Sequence, residues 1–176
     1  MLSDALLLMA LICTNGLLAM SEIAIVSSRR ARLLQMVDAG SRGATRALRL
    51  AGDPTRFLST VQVGITSVGI LSGAVGEATI AGRLRVSLSQ VPLLAPYADV
   101  AALVIMVIGL TYVSLIIGEL VPKRLALTRP EYIASLIARP MQWLATVTRP
   151  VVYLLSLSTD TKKVSRSRWR IERSIL

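Results

Sequence analysis

Glu119 is the residue in this chain whose surroundings point most directly to chemistry. It closes an uncharged apolar run over residues 100–118, and Pro122 follows three positions later. Proline has no N–H, so the helical bond that residue 122 would give to the carbonyl four residues back, that of Gly118, is not made. The expectation is a broken helix whose C-terminal end sets a free carbonyl beside a carboxylate, where the backbone dipole favours a cation. Gly118, without a side chain, lets an ion approach the backbone. Hydroxyl and amide oxygens come from Thr60, Gln62, Thr66 and Ser67 near the start of a second apolar run, and from Ser21 near the end of a first. Together they make an all-oxygen site, the ligand set that hard cations such as Mg²⁺ prefer and that needs only one or two carboxylates. A membrane-helix hydroxyl also bonds back to its own preceding turn, and that alternative stays open for each Ser and Thr.

Two further acids lie inside apolar runs, where a charge is costly and functional by default. Glu22 is within reach of Arg29 or Arg30, so an ion pair or a snorkelling side chain competes with a role in the site. Glu77 reads as reaching water at the outer end of its run. Gly64, Gly69, Gly73 and Gly76 allow close helix packing or, alternatively, ion access to the backbone.

The rest of the composition narrows the classes. Histidine is absent, which excludes imidazole metal sites and Ser-His-Asp triads. The single cysteine, Cys13, sits in an apolar run and reads as a small core residue. With no nucleophile–base pair visible, an enzyme is not expected. Twenty basic residues against 10 acidic ones leave a net charge of +10, yet 53% of the residues are hydrophobic and the mean hydropathy is +0.64. A nucleic-acid binder of that charge would be polar, so the basic partner is a bilayer and not a nucleic acid.

Three elements must carry these residues across that bilayer. Apolar runs at about 5–26, 57–82 and 99–119 each meet the length of about 20 residues that a spanning helix needs. Asp53 as N-cap and Pro54 in the first turn mark the start of the second. Between the first two runs, residues 29–56 hold seven arginines, whereas the loop at 83–98 holds two. Lys and Arg mark the cytoplasmic side, so the N-terminus is placed outside and the C-terminus inside the cell's inner membrane. Leu33, Leu34 and Val37 share a helical face, which predicts a short helix on the inner leaflet interrupted by Gly40 and Gly43.

Beyond the third run, Arg129-Pro130, Arg139-Pro140 and Arg149-Pro150 divide residues 124–159 into pieces of about nine residues. These are too short to span. The reading is a belt of short interfacial helices, each started by its proline and anchored by Tyr132, Trp143 and Tyr153, with a fourth span broken by prolines as the alternative. Residues 161–176 form a basic tail, either lipid-facing or a linker to absent domains. The fold class is thus an all-α membrane protein, with residues 1–160 as its transmembrane domain.

Four pieces of this chain resemble one known family in order and spacing: SEIAIVSSRRARL from Ser21, DPTRFLSTVQVGIT from Asp53, GELVPK from Gly118 and RPEYIASLIARPM from Arg129. They are similar to the transmembrane domain of the cyclin M/CorC magnesium transporters, long labelled hemolysin-like. The resemblance implies a homodimer that exports Mg²⁺ against inward Na⁺, with a metal site of Glu119, the Gly118 carbonyl and Ser21. It also implies a nucleotide-binding regulatory module, which this sequence lacks, so the chain is expected to be a fragment. Asparagines found in many magnesium-binding members fall at Ile65 and Gly69 here, leaving Thr66 or Ser72 as substitute ligands and Pro122, Gly64 and Glu22 as supporting residues. The VGIT sequence is closer to a bacterial branch for which polyamine export has been proposed. A non-transporting membrane anchor is the third alternative.

Overall fold

A computed structural model describes residues 2–148, and they form helices joined by short turns, with no strand among them. The first span is α1 (Leu2–Ser27). Two short basic helices follow, α2 (Arg30–Asp38) and α3 (Arg42–Ala51). The second span begins as α4 (Pro54–Gly76), widens through a π turn at Glu77–Ala81 and continues as α5 (Gly82–Ser89). A 3₁₀ turn at Ala95–Tyr97 leads into α6 (Ala98–Leu115), a second π turn at Ile116–Leu120 and α7 (Val121–Thr128). Last comes α8 (Pro130–Val147). Three helical stretches are long and apolar enough to cross a membrane: Ser3–Ser27, Pro54–Ser89 and Ala95–Thr128. The protein is an all-α membrane protein. Arg149-Pro150, Tyr153 and the basic tail lie outside the described residues.

The expected start of the second span is present in detail. Asp53 Oδ1 accepts the backbone N–H of Arg56 at 3.2 Å, and Pro54 occupies the first turn, where its missing N–H costs nothing. The helix α2 also forms, with Leu33 fully buried, Val37 half-buried and Leu34 exposed. Gly40, at φ +86°, ends it in the left-handed region. Gly43 does not interrupt a helix as expected; it lies inside α3.

The belt differs from its sequence reading. Pro130 starts a helix, but Pro140 lies within α8 and does not start another. The bond that Pro140 forfeits belongs to the carbonyl of Leu136, and both residues are exposed. Ile137, Ala138 and Met141 on the opposite face are buried and hold the helix through the proline. Tyr132 and Trp143 point outward, as interfacial anchors do. The helix α8 is not among the three stretches long and apolar enough to span.

The core sits toward the belt and not midway along the spans. Leu18, Ala24 and Ile25 of α1 meet Leu33, Ala44 and Ala47 of the basic helices, Phe57 and Val61 of α4, Ala126 of α7 and Ala134, Ile137, Ala138 and Met141 of α8. Six of these are alanines, whose small side chains let the helices approach closely where apolar burial drives little association. In an apolar 18-residue stretch of the first span 33% of the residues are buried inside the chain, against 17% and 11% in the corresponding stretches of the other two. The first span is therefore the central post, and the second and third leave broad apolar faces.

One buried acid ties the belt to that post. Glu131, 5% exposed in the first turn of α8, accepts the backbone N–H of Arg29 through Oε1 at 3.1 Å. Burial pushes its carboxyl up, but the N–H of Arg29, its own backbone N–H and the charges of Arg32 and Arg29 outweigh that and hold it below the ordinary range. A lowered folded-state value means stability that is complete above the unfolded value and lost as pH falls through the folded one. The melting temperature should hold steady near neutrality and decline once the pH drops below about 4.3, the free glutamate value. Glu131→Gln should lower the neutral melting temperature and flatten that decline; an unchanged acid limb would remove Glu131 as its cause.

Candidate functional site

The sequence reading gathers its polar residues into one site at one depth. The structure places Glu22 and Glu119 at one level and Ser72 at another, the two joined by one hydrogen bond, and leaves Thr60 and Thr66 outside both.

The first level is an acid–base cluster near the C-terminal ends of the first and third spans. Lys123 Nζ donates to Glu119 Oε1 at 2.8 Å and lies 3.6 Å from Glu22 Oε2. Two carboxylates from different helices thus converge on one ammonium. All three side chains are partly sheltered, with Lys123 29%, Glu22 27% and Glu119 43% exposed, so water and screening reach the cluster. Glu22 pairs with Lys123 and not with Arg29 or Arg30. Ser21, one position before it, is fully buried, and its Oγ donates to the Leu18 carbonyl at 2.7 Å. That is the local back-bond left open for the hydroxyls, and Thr60 makes the same kind of bond to the Arg56 carbonyl at 2.9 Å.

Pro122 does not break the third span as its chemistry predicts. The chain widens into the π turn at Ile116–Leu120, in which the N–H of Val121 reaches back five residues to the carbonyl of Ile116. A π turn absorbs a residue without ending the helix. In this five-back pattern the proline's missing N–H would have served the Ile117 carbonyl and not that of Gly118. The Gly118 carbonyl is not free either, for Asn15 Nδ2 of α1 donates to it at 3.0 Å. The two helices touch at glycines: a Cβ on Gly16 would lie 3.0 Å from Pro122 Cγ, and one on Gly118 would lie 3.3 Å from both Asn15 Nδ2 and the Ile12 carbonyl. Gly118 is a close-packing residue first.

Asn15 also forms part of the second level. It borders a cavity of about 380 Å³ between the three spans, lined in addition by Gly69, Ser72, Glu77, Thr111 and Ser114 among apolar walls that include Met106 and Leu110. Asn15 Oδ1 is buried and has no hydrogen-bond partner. An orphaned buried carbonyl oxygen is costly in a protein interior, so this one is an acceptor awaiting a donor or a cation. Ser72, expected as a substitute ligand near Glu119, is buried and faces this cavity. Thr66 is exposed on α4 and lines neither level. Gly64 packs on Leu18, 3.0 Å from where its Cβ would lie, whereas Gly69 and Gly73 open onto the cavity with nothing within 4 Å of theirs. Among the described residues no group of three His, Cys, Asp or Glu could hold a metal, so the first level offers two carboxylates and not more.

Sequence reasoning missed Asn15 and Lys123. Asn15 carried a usable signal, being an amide in the middle of an apolar run, which is as expensive as a hydroxyl there and more in need of a partner. Lys123 stands four residues after Glu119, the spacing that brings opposite charges together on a helix.

Three membrane-length helices, of which the first and third bring an acid–base cluster together and all three line a cavity, define a multi-pass helical membrane protein. The chain belongs to the family described as the cyclin M transmembrane N-terminal domain, whose model matches residues 6–165. Among similar proteins, the UPF0053 protein sll0260 of Synechocystis sp. is 53% identical over 150 residues, which cover 85% of this chain and 34% of that protein. The polyamine export protein of Salmonella typhimurium is 29% identical over 156 residues, 89% of this chain and 35% of that protein. Its counterpart in Escherichia coli K12 matches to the same extent. The chain spans about a third of the length of these curated relatives.

Proposed function

We propose that the protein transports a cation across the membrane, with Mg²⁺ as cargo in the first reading, exported in exchange for inward Na⁺. The observation that carries this is the convergence on Lys123 of Glu22 and Glu119, the sequence neighbours of Ser21 and Gly118. Mg²⁺ is commonly held by one or two carboxylates with carbonyls and retained waters. The Lys123 ammonium stands where the cation would, balancing the charge of the two carboxylates. Binding then displaces Lys123 and exposes both carboxylates, while the cavity at Asn15 and Ser72 supplies the next oxygens along the path.

A second reading has its own support. A primary ammonium already sits between the two carboxylates, hydrogen-bonded to Glu119 at 2.8 Å and ion-paired with Glu22 at 3.6 Å, which is the recognition that a polyamine's terminal amine requires. The relatives named polyamine export proteins, and the absence of asparagines at Ile65 and Gly69, agree with it. One titration separates the readings. At a free concentration a hundred times its Kd, the true cargo stabilises the folded state by about 2.7 kcal/mol. A rise in melting temperature with Mg²⁺ and not with spermidine supports the first reading, and the reverse supports the second. A chain that responds to neither is not a transporter of either cargo through this site.

The proposal includes the setting. The arginines at residues 29–56 place the belt and the C-terminal side in the cytoplasm, with the N-terminus outside the inner membrane. A cysteine placed at Ser89 should then be labelled from outside intact cells and one at Ser41 should not; the opposite pattern reverses the topology. The broad exposed faces of the second and third spans are read as the contact in a homodimer, which a mass of one chain in detergent at every concentration would rule out. A regulatory nucleotide-binding module is part of the same proposal, and the two thirds of the relatives' length that this chain does not cover leave room for one.

A further inference from the structure

Where α3 ends, α4 begins and α8 passes beneath them lies a second cavity, of about 570 Å³, away from both levels of the cation site. Its polar lining is opposite in character. Arg49 comes from the last turn of α3 and Arg56 from the first turn of α4, and Thr60, Gln142 and Thr146 complete the wall. Neither guanidinium is in an ion pair with a described residue. Asp53 also borders the cavity, but its Oδ1 is engaged by the backbone N–H of Arg56 as the cap of α4. The hydroxyls of Thr60 and Thr146 donate to the carbonyls of Arg56 and Gln142 at 2.9 Å, so among the described residues the donors left without a partner are the two guanidiniums and the Gln142 amide. Planar, permanently charged forks are the donors best matched to phosphate oxygens.

The position of the cavity selects the source of the phosphate. Arg56 and Phe57 stand in the first turn of a helix apolar enough to span the membrane, so the cavity opens where that helix enters the bilayer. A headgroup phosphate resides at that level, and anionic lipids draw basic segments to it. We propose that Arg49, Arg56 and Gln142 hold the phosphate of an anionic membrane lipid, docking the junction of α3 and α4 onto the leaflet.

Titration of the full chain in detergent with short-chain phosphatidylglycerol, phosphatidylcholine and inorganic phosphate tests this. Phosphatidylglycerol should bind more tightly than phosphatidylcholine, whose quaternary ammonium offsets its charge, and more tightly than free phosphate, which lacks the glycerol and acyl portions. Replacing both arginines, Arg49→Gln with Arg56→Gln, should weaken phosphatidylglycerol binding roughly tenfold or more, the scale of one lost charged hydrogen bond. The Arg49→Lys with Arg56→Lys pair should retain an intermediate affinity, and Arg30→Gln, an exposed belt arginine outside the cavity, should retain all of it. Equal losses in Arg30→Gln and the double Gln variant would reduce the effect to general charge and overturn the site. Inorganic phosphate binding as tightly as the lipid would assign the cavity to a soluble phosphate instead. Because neither arginine touches the Glu119 cluster, Mg²⁺ or spermidine binding should be unchanged in the double variant, so this proposal and the transport reading fail separately.

Discussion

Under the proposed function, Glu119→Gln is expected to remove tight cation binding and transport while leaving the fold in place. The substitution keeps the shape of the side chain and one acceptor oxygen but deletes the charge that faces Lys123 at 2.8 Å. The fold survives because Lys123 keeps Glu22 at 3.6 Å, and because partly exposed pairs of this kind contribute no more than about 1 kcal/mol. Cargo binding is another matter, since a divalent ion or a terminal ammonium loses one of only two carboxylates. Glu119 is 43% exposed, so solvent limits the effect, and a loss on the order of a hundredfold, about 2.8 kcal/mol at 1.4 per decade, is the scale to expect. Glu22→Gln, at the longer of the two distances, should have the smaller effect. Lys123→Met removes the resident ammonium and should strengthen binding of the free cation while impairing its release, which affinity and flux measured together would reveal. Pro122→Ala should change little, because a restored N–H would be directed at the Ile117 carbonyl in the π turn and not at Gly118. Parental affinity and flux in Glu119→Gln would show that the site lies elsewhere, with the cavity at Asn15 the first place to look.

These expectations differ from a sequence-only account at particular residues, and the differences have physical causes. The three spans were legible because bilayer thickness imposes a length and a composition that nothing else in the chain imitates. The Asp53-Pro54 start was legible because a cap is local, made within three residues. Glu119, Ser21 and Glu22 were legible as candidates because a polar group in an apolar run stands out. Their partners were not, since a charge does not announce which helix it will face, and Lys123 rather than an arginine closes the cluster. The prolines misled in both places for one reason. Pro122 is accommodated by a π turn and Pro140 by the packing of Ile137, Ala138 and Met141, and both remedies come from backbone adjustment or tertiary contact that residue type alone does not report. The Asn15 amide on the Gly118 carbonyl joins residues 103 positions apart, beyond any local rule.

The other large effect falls on the belt. Gly43→Ala is expected to destabilise the protein, because a Cβ at that position would collide with the Ser135 carbonyl oxygen and lie 3.0 Å from its carbon. Both are backbone atoms of α8, which no side-chain rotation can move aside, so the two helices must separate. In the interior of a helix alanine is ordinarily better than glycine by about 1 kcal/mol, and that gain opposes the clash. Overpacking of this kind costs about 1–3 kcal/mol, and it acts here where α3 and α8 carry the buried Ala44, Ala47 and Ala138 of the core. The clash wins, with a net loss of up to about 2 kcal/mol. Gly82→Ala is the matched control, since nothing lies within 4 Å of its Cβ position. Thermal unfolding of the two variants should therefore diverge, with Gly43→Ala melting well below the parent and Gly82→Ala at or above it. The same separation of α3 from α8 would widen the cavity between Arg49, Arg56 and Gln142, so Gly43→Ala should also weaken phosphatidylglycerol binding without altering a charge. A Gly43→Ala protein as stable as the parent would mean that α3 and α8 do not pack at this distance, and the cavity between them would go with that contact.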